Sequence, residues 1–318
     1  MPQNEELRFD GEVVIVTGAG RGLGRQYALL FAERGASVVV NDAGFTPDGG
    51  PGDDDVAGAV VAEIRERGGR ALADTTDVSI DGGAESIVQA AMDAFGTVSA
   101  VVNNAGVITY ASFDELTLAQ WQRMDEVTMG GAFRMSKAVW PVFKRNACGR
   151  IVNTTSAAGF AGSDFLAHYG AAKLGVAGLT KCLAIEGANS GIKVNAIAPM
   201  AVTRMNSEQF FGGAQTPGDD WQDDIRKGVV PIGPPSIVAP TVVWLAHRST
   251  EVSGDVFSTT SGRVARVGFV IGSGYFNPIH RPEDLRDNVE QIRDLSTFID
   301  PVTLNDEGPV IAKLFSAD

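Results

Sequence analysis

Short apolar runs recur along the chain, with longer stretches of helical character between them. Val13 to Thr17, Ser37 to Asn41, Ala71 to Thr75, Val98 to Asn103, Arg150 to Thr155, Lys193 to Ala198 and Asp255 to Thr259 read as strands. Several are nearly continuous in Val, Ile and Ala, the pattern of parallel strands covered on both faces. The stretches at 22–34, 55–68, 82–95, 117–146, 165–189 and 236–247 read as helices. Alternation on this scale predicts right-handed βαβ units. The expected fold is α/β, with a doubly wound, mostly parallel seven-stranded sheet, helices on both faces and a C-terminal extension.

Three segments break the beat. Gly44 to Asp55 is rich in Gly, Asp and Pro and is long for a βα connection. Arg204 to Pro235 carries Phe210, Phe211 and Trp221, and is expected to form a substrate lid over about 204–235. After the last strand comes a tail in which Leu285, Val289, Ile292 and Leu295 share one helical face behind Pro282. The simplest division is a domain at 1–262, lid included, and an extension at 263–318 that packs on the same domain or on a partner subunit.

Composition narrows the classes of function. The chain has 318 residues, 44% of them hydrophobic and 20% charged, with a net charge of −13. That charge disfavours nucleic-acid phosphates and anionic lipid as partners. No apolar run approaches the ~20 residues that cross a bilayer. The opening ten residues lack the pattern of a secretion signal, and the Phe-Ser-Ala-Asp end is unlike a peroxisomal Ser-Lys-Leu address. Cys148 and Cys182 show no metal-ligand spacing and read as free thiols. A cytoplasmic location and no metal are the expectations.

The first strand runs into Thr17-Gly18-Ala19-Gly20-Arg21-Gly22-Leu23-Gly24, which opens a helix. Glycines let such a turn approach a pyrophosphate, which then meets the free N–H groups at the helix start. The second strand ends at Asp42, where a carboxylate can accept from the adenosine ribose and repel the extra phosphate of NADP. NAD is therefore expected, although Arg21 is a residue type that can serve that phosphate. Asp77 and Val78 follow strand three, and Asn104-Ala105-Gly106 ends strand four at the edge where such sheets bind ligands.

Strand five leads to Ser156, and the next long helix carries Tyr169 and Lys173 at i and i+4. One helical face thus pairs an ammonium with a phenol, an arrangement expected to lower the phenol's pKa and to let it exchange a proton with a substrate oxygen. Taken in order, the glycine turn, Asp42, Asn103-Asn104-Ala105-Gly106, Ser156, Tyr169 and Lys173 resemble the short-chain dehydrogenase/reductase family over roughly residues 10–262. The resemblance implies a Rossmann-type enzyme using NAD. Ser156 and Tyr169 would act on the substrate oxygen, and Lys173 on Tyr169 and the nicotinamide ribose, which both residues touch. Pro199, Val202 and Thr203 fall where the family contacts nicotinamide, with Pro199-Met200 in place of its usual Pro-Gly. Thr128 stands where most members carry an Asn that holds a water in a proton relay.

Within that family, Val39-Val40-Asn41-Asp42 with the long loop after it, Leu183 to Gly187, Asn195 to Pro199 and Arg204-Met205 resemble the (3R)-hydroxyacyl-CoA dehydrogenases, which also act on some steroid alcohols. The resemblance implies a 3-hydroxyacyl-CoA or 17β-hydroxysteroid substrate and a homodimer or homotetramer paired through 117–146 and 165–189; this sequence stops after the dehydrogenase part, so any hydratase in the pathway is expected to be another polypeptide. Phe210, Phe211 and Trp221 could cover the acyl or steroid chain, and Arg204, Arg226 and Lys227 could meet CoA phosphates. A 3-oxoacyl carrier-protein reductase, another alcohol dehydrogenase, or a non-catalytic nucleotide sensor are the alternatives. His168 adjoins Tyr169 but points about 100° away on a helix, so no catalytic part is expected of it.

Overall fold

The computed structural model describes residues 6–52, 55–205 and 232–315. Strands β1 (Val13–Thr17), β2 (Ser37–Asn41), β4 (Ala100–Asn103) and β5 (Gly149–Thr154) are buried at every position. With β3 (Arg70–Asp74), β6 (Ile192–Met200), β7 (Val256–Thr260) and β8 (Arg263–Val267) they form one sheet in the order β3-β2-β1-β4-β5-β6-β7-β8. Strands β1 to β7 pair in parallel. The order reverses between β1 and β4, and ligands of open α/β sheets bind outside the carboxyl ends of the strands at such a switch point.

Helices α1 (Gly22–Glu33), α2 (Val56–Glu66) and α7 (Ala239–Ala246) cover one face, burying Tyr27, Phe31, Ile64 and Val242 against the sheet. On the other face α3 (Gly83–Phe95), α4 (Leu118–Asn146) and α6 (Ala167–Gly187) bury Ile87, Met135, Phe143 and Ala184. Local signals fix several starts. Asp55 caps α2 by accepting from the Gly58 N–H at 2.9 Å, and Thr117 opens α4 in a capping box with Gln120. A short helix, α5 (Ala157–Ala161), intervenes between β5 and α6.

The sheet has one strand more than the seven expected. Ser261 and Gly262 both take positive φ, +47° and +84°, which makes the two-residue turn that reverses β7 into β8. The first compact unit accordingly runs to Arg266, and Val267–Asp318 forms a second.

In that second unit β9 (Ile271–Gly272) pairs antiparallel with β10 (Phe298–Ile299), and α10 (Gly308–Phe315) lies at its end. The single helix expected behind Pro282 is broken. Asn288 leaves helical geometry, its side chain donating to the Asp284 carbonyl at 2.7 Å, so α8 (Pro282–Asp287) and α9 (Val289–Arg293) form instead. Leu295 lies beyond α9, and none of the described residues from 267 to 312 is buried. Most of the expected lid, with Phe210, Phe211, Trp221, Arg226 and Lys227, lies outside the described residues, as do Asp53 and Asp54.

Candidate active site

β1 delivers the chain into a turn that only glycine can make. Gly18 and Gly22 have φ of +62° and +54°. A Cβ on Gly18 would lie 2.9 Å from the Ala105 Cα, and one on Gly24 would lie 2.2 Å from the Gly18 carbonyl oxygen. Asn104 locks the turn to the end of β4: its side-chain amide donates to the Thr17 and Gly18 carbonyls, both at 3.0 Å. Thr17 Oγ1 accepts from the backbone N–H groups of Asn104 and Ala105 at 3.0 and 3.1 Å. No side chain caps α1, so its first-turn N–H groups remain to serve an anion.

Asp42 closes the other side of the turn. Its carboxylate accepts from the Gly20 N–H at 2.8 Å and from the Gly44 N–H at 2.9 Å. Beside it opens a cleft. Gly18, Arg21, Gly22 and Leu23 line the cleft from β1, Asp42 from β2, Asp77 and Val78 from β3, and Asn104, Ala105 and Gly106 from β4. Thr203 lines it from beyond β6, whereas Gly24, Tyr169, Lys173, Pro199 and Val202, also expected at the cofactor, do not. Gly24 is spent on packing against Gly18, and Val202 is buried with its N–H donating to the Gly233 carbonyl at 3.0 Å.

The loop after β2 folds over this cleft, and Phe45, Thr46 and Pro47 join the lining. Arg123 of α4 sits 5.0 Å from the Phe45 ring centroid, donates to Ser79 Oγ at 2.8 Å and lies 3.6 Å from Asp77. Sequence reading missed these loop residues, along with Thr17 and Gly20. A Cβ on Gly20 would fall 2.4 Å from Val56 Cγ2, so its spacing among the other glycines was the available signal. The contact between Arg123 and Phe45 joins residues far apart in the chain and leaves no local trace.

Gly106 and Val107 join the cleft to the reacting end. A Cβ on Gly106 would lie 3.6 Å from Lys173 Nζ and 3.8 Å from Thr128 Oγ1, so both polar groups flank it. Val107, Met124, Val127 and Ala172 pack around Tyr169. Lys173 is buried, donates to the Thr154 carbonyl at 2.8 Å and places its Nζ 5.6 Å from the Tyr169 ring centroid. Ser156 follows β5 as the cap of α5, its Oγ accepting from the Ala158 N–H at 3.3 Å, and its side chain lowers the proton affinity of the Tyr169 phenol. The structure thus brings Ser156, Tyr169 and Lys173 together. Thr128 makes only a weak contact, at 3.5 Å, to the Met124 sulfur.

Ionisation at this end differs from expectation. Burial pushes the Tyr169 phenol above its ordinary value; the Ser156 hydrogen bond opposes that, and the Tyr110 charge adds to it. The net shift is thus upward, the reverse of the expected lowering. Burial lowers Lys173 itself from 10.5 to about 8. His168 shares a 2.7 Å hydrogen bond with Thr109 Oγ1, with burial holding its pKa below the ordinary value. Cys182 is an exposed thiol.

Comparison with known proteins follows the same lines. A family model described as short chain dehydrogenase matches residues 12–211. Peroxisomal multifunctional enzyme type 2 of Mus musculus is 39% identical over 98% of this chain and 41% of its own length. A putative short-chain type dehydrogenase/reductase of Mycobacterium tuberculosis is 39% identical over 89% of this chain and 94% of its own. The solved structure of full-length peroxisomal multifunctional enzyme type 2 from Drosophila melanogaster superposes with a TM-score of 0.76 at 30% identity, covering 98% of this chain and 50% of that one. The chain therefore spans about two fifths of the mouse enzyme and half of the fly structure. Among the described residues no helix is long and apolar enough to cross a membrane.

Proposed function

The chain belongs to the short chain dehydrogenase family and is an oxidoreductase, and we propose that it interconverts a secondary alcohol and a ketone with NAD, acting on 3-hydroxyacyl-CoA thioesters. The reaction is carried by one observation: the Tyr169 phenol, under the influence of Ser156, stands beside buried Lys173, and Gly106 and Val107 join both to the glycine-turn cleft. The thioester is suggested by the resemblance of Val39 to Asp42, Leu183 to Gly187 and Asn195 to Pro199 to the (3R)-hydroxyacyl-CoA dehydrogenases. A 17β-hydroxysteroid would use the same centre.

The residues fit a dinucleotide. Gly18 and Gly24 leave no room for a side chain, α1 presents uncapped N–H groups, and Asp42 stands where adenosine ribose hydroxyls would meet a carboxylate. Asp42 also repels a 2′-phosphate, which favours NAD over NADP. Bound NAD supplies the hydride acceptor for oxidation. Arg21, Gly22, Leu23, Asp77, Val78, Asn104, Ala105 and Gly106 would hold its phosphate and adenosine parts, and Thr203 its nicotinamide side, with Lys173 and Tyr169 against the nicotinamide ribose.

Ser156 holds the substrate oxygen and Tyr169 exchanges a proton with it. With its pKa raised by burial, Tyr169 at rest is a phenol. It is thus ready to donate to a forming alkoxide in reduction, and must lose its proton before it can accept one in oxidation. Lys173 supplies the positive charge that would favour that loss, and Thr154 fixes where its ammonium points.

The half-exposed Phe133, Leu174 and Ile185 of α4 and α6 suit a homodimer or homotetramer built on these helices. The free thiols Cys148 and Cys182 suit a reducing, cytoplasm-like compartment.

The test is NADH formation from 3-hydroxyacyl-CoA, and its loss with 3-oxoacyl-CoA, at several chain lengths beside free steroids. NADP runs in parallel and Tyr169→Phe is the control. Turnover of CoA esters with NAD is expected, and turnover of free steroids alone would overturn the thioester assignment.

A further inference from the structure

We propose that Tyr110 is a specificity-determining residue that hydrogen-bonds a second oxygen of the substrate, the thioester carbonyl of a 3-hydroxyacyl chain. The proposal rests on the thioester reading given above. It starts from how the segment after β4 is held. Four successive residues tie it to four different places. The Ile108 N–H donates to the Pro47 carbonyl at 2.8 Å, and Thr109 Oγ1 shares a 2.7 Å hydrogen bond with His168 Nε2. Tyr110 then donates its hydroxyl to the Met205 carbonyl at 3.2 Å, and the Ala111 N–H donates to the Phe165 carbonyl at 3.1 Å. A loop pinned this often holds its side chains in fixed positions, and preorganisation of that kind is what a recognition residue needs.

That placement puts Tyr110 beside the reacting centre. Its chain neighbour Thr109 bonds His168, and the chain neighbour of His168 is Tyr169. The two phenols share a field, since a charge on Tyr110 raises the proton affinity of Tyr169. Tyr110 is 41% exposed, so its ring borders open space rather than core. Burial nevertheless pushes its own pKa above the ordinary value, so it is a hydrogen-bond donor throughout the neutral range. Its hydrogen bond to the Met205 carbonyl is neutral and, at 3.2 Å, long. Exchanging the Met205 carbonyl for a substrate carbonyl therefore swaps like for like at little cost.

The substrate's chemistry supplies the match. A 3-hydroxyacyl thioester carries two oxygens, one on C3 and one on C1, with a single carbon between those two. Ser156 and Tyr169 take the C3 oxygen. A second phenol beside Tyr169 is a donor for the C1 carbonyl, and it fixes which way the chain runs from the reacting carbon. An alcohol without that carbonyl gains nothing from Tyr110. A site built to donate to a substrate oxygen discriminates against the analogue that lacks it.

The experiment compares wild type with Tyr110→Phe on a 3-hydroxyacyl-CoA and on the matching thioether, identical except that the C1 carbonyl is a methylene. The electronic difference between the two substrates is common to both proteins and cancels in the ratio of ratios. Wild type is expected to favour the thioester in kcat/KM. Tyr110→Phe should cut that preference about tenfold, mainly through a higher KM, while leaving thioether turnover within about twofold. Loss of the Met205 contact alone would slow both substrates equally, and an unchanged preference on that or any other account overturns the proposal. A wild type that oxidises free hydroxysteroids but neither CoA compound refutes the thioester reading itself, and Tyr110's role with it. A wild type active on both CoA compounds without preference leaves that reading standing and overturns Tyr110 alone.

Discussion

Around Gly18 to Gly24 the site is made of backbone, whereas around Tyr169 it is made of three side chains. At the glycine end the functional groups are N–H donors and the space left by absent Cβ atoms, held by Asn104, Thr17 and Asp42 through hydrogen bonds of 2.8 to 3.1 Å. At the reacting end the groups are a hydroxyl, a phenol and an ammonium, and burial sets their proton affinities. The contrast separates two kinds of damage. A change at the first end is steric and spreads into the fold. A change at the second can remove chemistry and leave binding and stability as they were.

Tyr169→Phe tests that separation at its extreme. The variant removes one oxygen from the ring, so kcat should fall roughly a thousandfold, with thermal stability nearly unchanged and NAD affinity reduced only by the lost ribose contact, about fivefold. A parallel loss of NAD affinity, read by fluorescence titration, would mean that the two ends are not separable. Gly24→Ala should do the reverse. With its Cβ aimed at the Gly18 carbonyl, it should cost about 1–3 kcal/mol of stability and weaken NAD binding by more than roughly tenfold, the size of one lost hydrogen-bonding arrangement. Wild-type affinity in this variant would remove the steric account of the turn.

The same contrast explains what the sequence made legible. Glycines at a strand-to-helix junction mark where side chains are forbidden, so the turn and its cleft could be read from Gly18, Gly22 and Leu23 alone. The order of Ser156, Tyr169 and Lys173 was equally visible. Their electrostatics were not. Lys173 bonds the backbone carbonyl of Thr154, and a carbonyl has no residue type to betray it. The raised Tyr169 pKa comes from what packs around it, Val107, Met124 and Val127, which lie in segments far from it in sequence. The eighth strand was hidden for a local reason: Ser261-Gly262 is an unremarkable pair until both residues are seen at positive φ. The broken tail helix shows the converse, since one apolar stripe spans Asn288 without keeping the backbone helical.

Asp42→Ala probes the boundary between the two kinds of damage, because Asp42 is a side chain that holds backbone. Losing its bonds to the Gly20 and Gly44 N–H groups should loosen the turn, and losing its charge should admit a 2′-phosphate. NAD should bind roughly tenfold more weakly, and the ratio of kcat/KM for NADP to that for NAD should rise. A fall in NAD affinity with no change in that ratio would leave Asp42 a purely structural brace.

The smallest effect concerns charge at the reacting end and is read by binding rather than turnover. Lys173 has its pKa lowered to about 8 by burial, so its ammonium is the dominant form below that pH and the neutral amine above it. Tyr169, raised above its ordinary value of 10.0, stays a phenol between pH 7 and 9, and His168, lowered from 6.5, is already neutral there. Lys173 thus changes charge in that window while these two neighbours do not. An ammonium donates a stronger hydrogen bond to a ribose hydroxyl than an amine does. The dissociation constant for NAD should therefore rise about fivefold from pH 7 to pH 9, with its midpoint near 8. Lys173→Met should bind at the weak, high-pH level and show no such step. A step that persists in the variant would place the titrating group elsewhere and return Lys173 to a packing role beneath Tyr169.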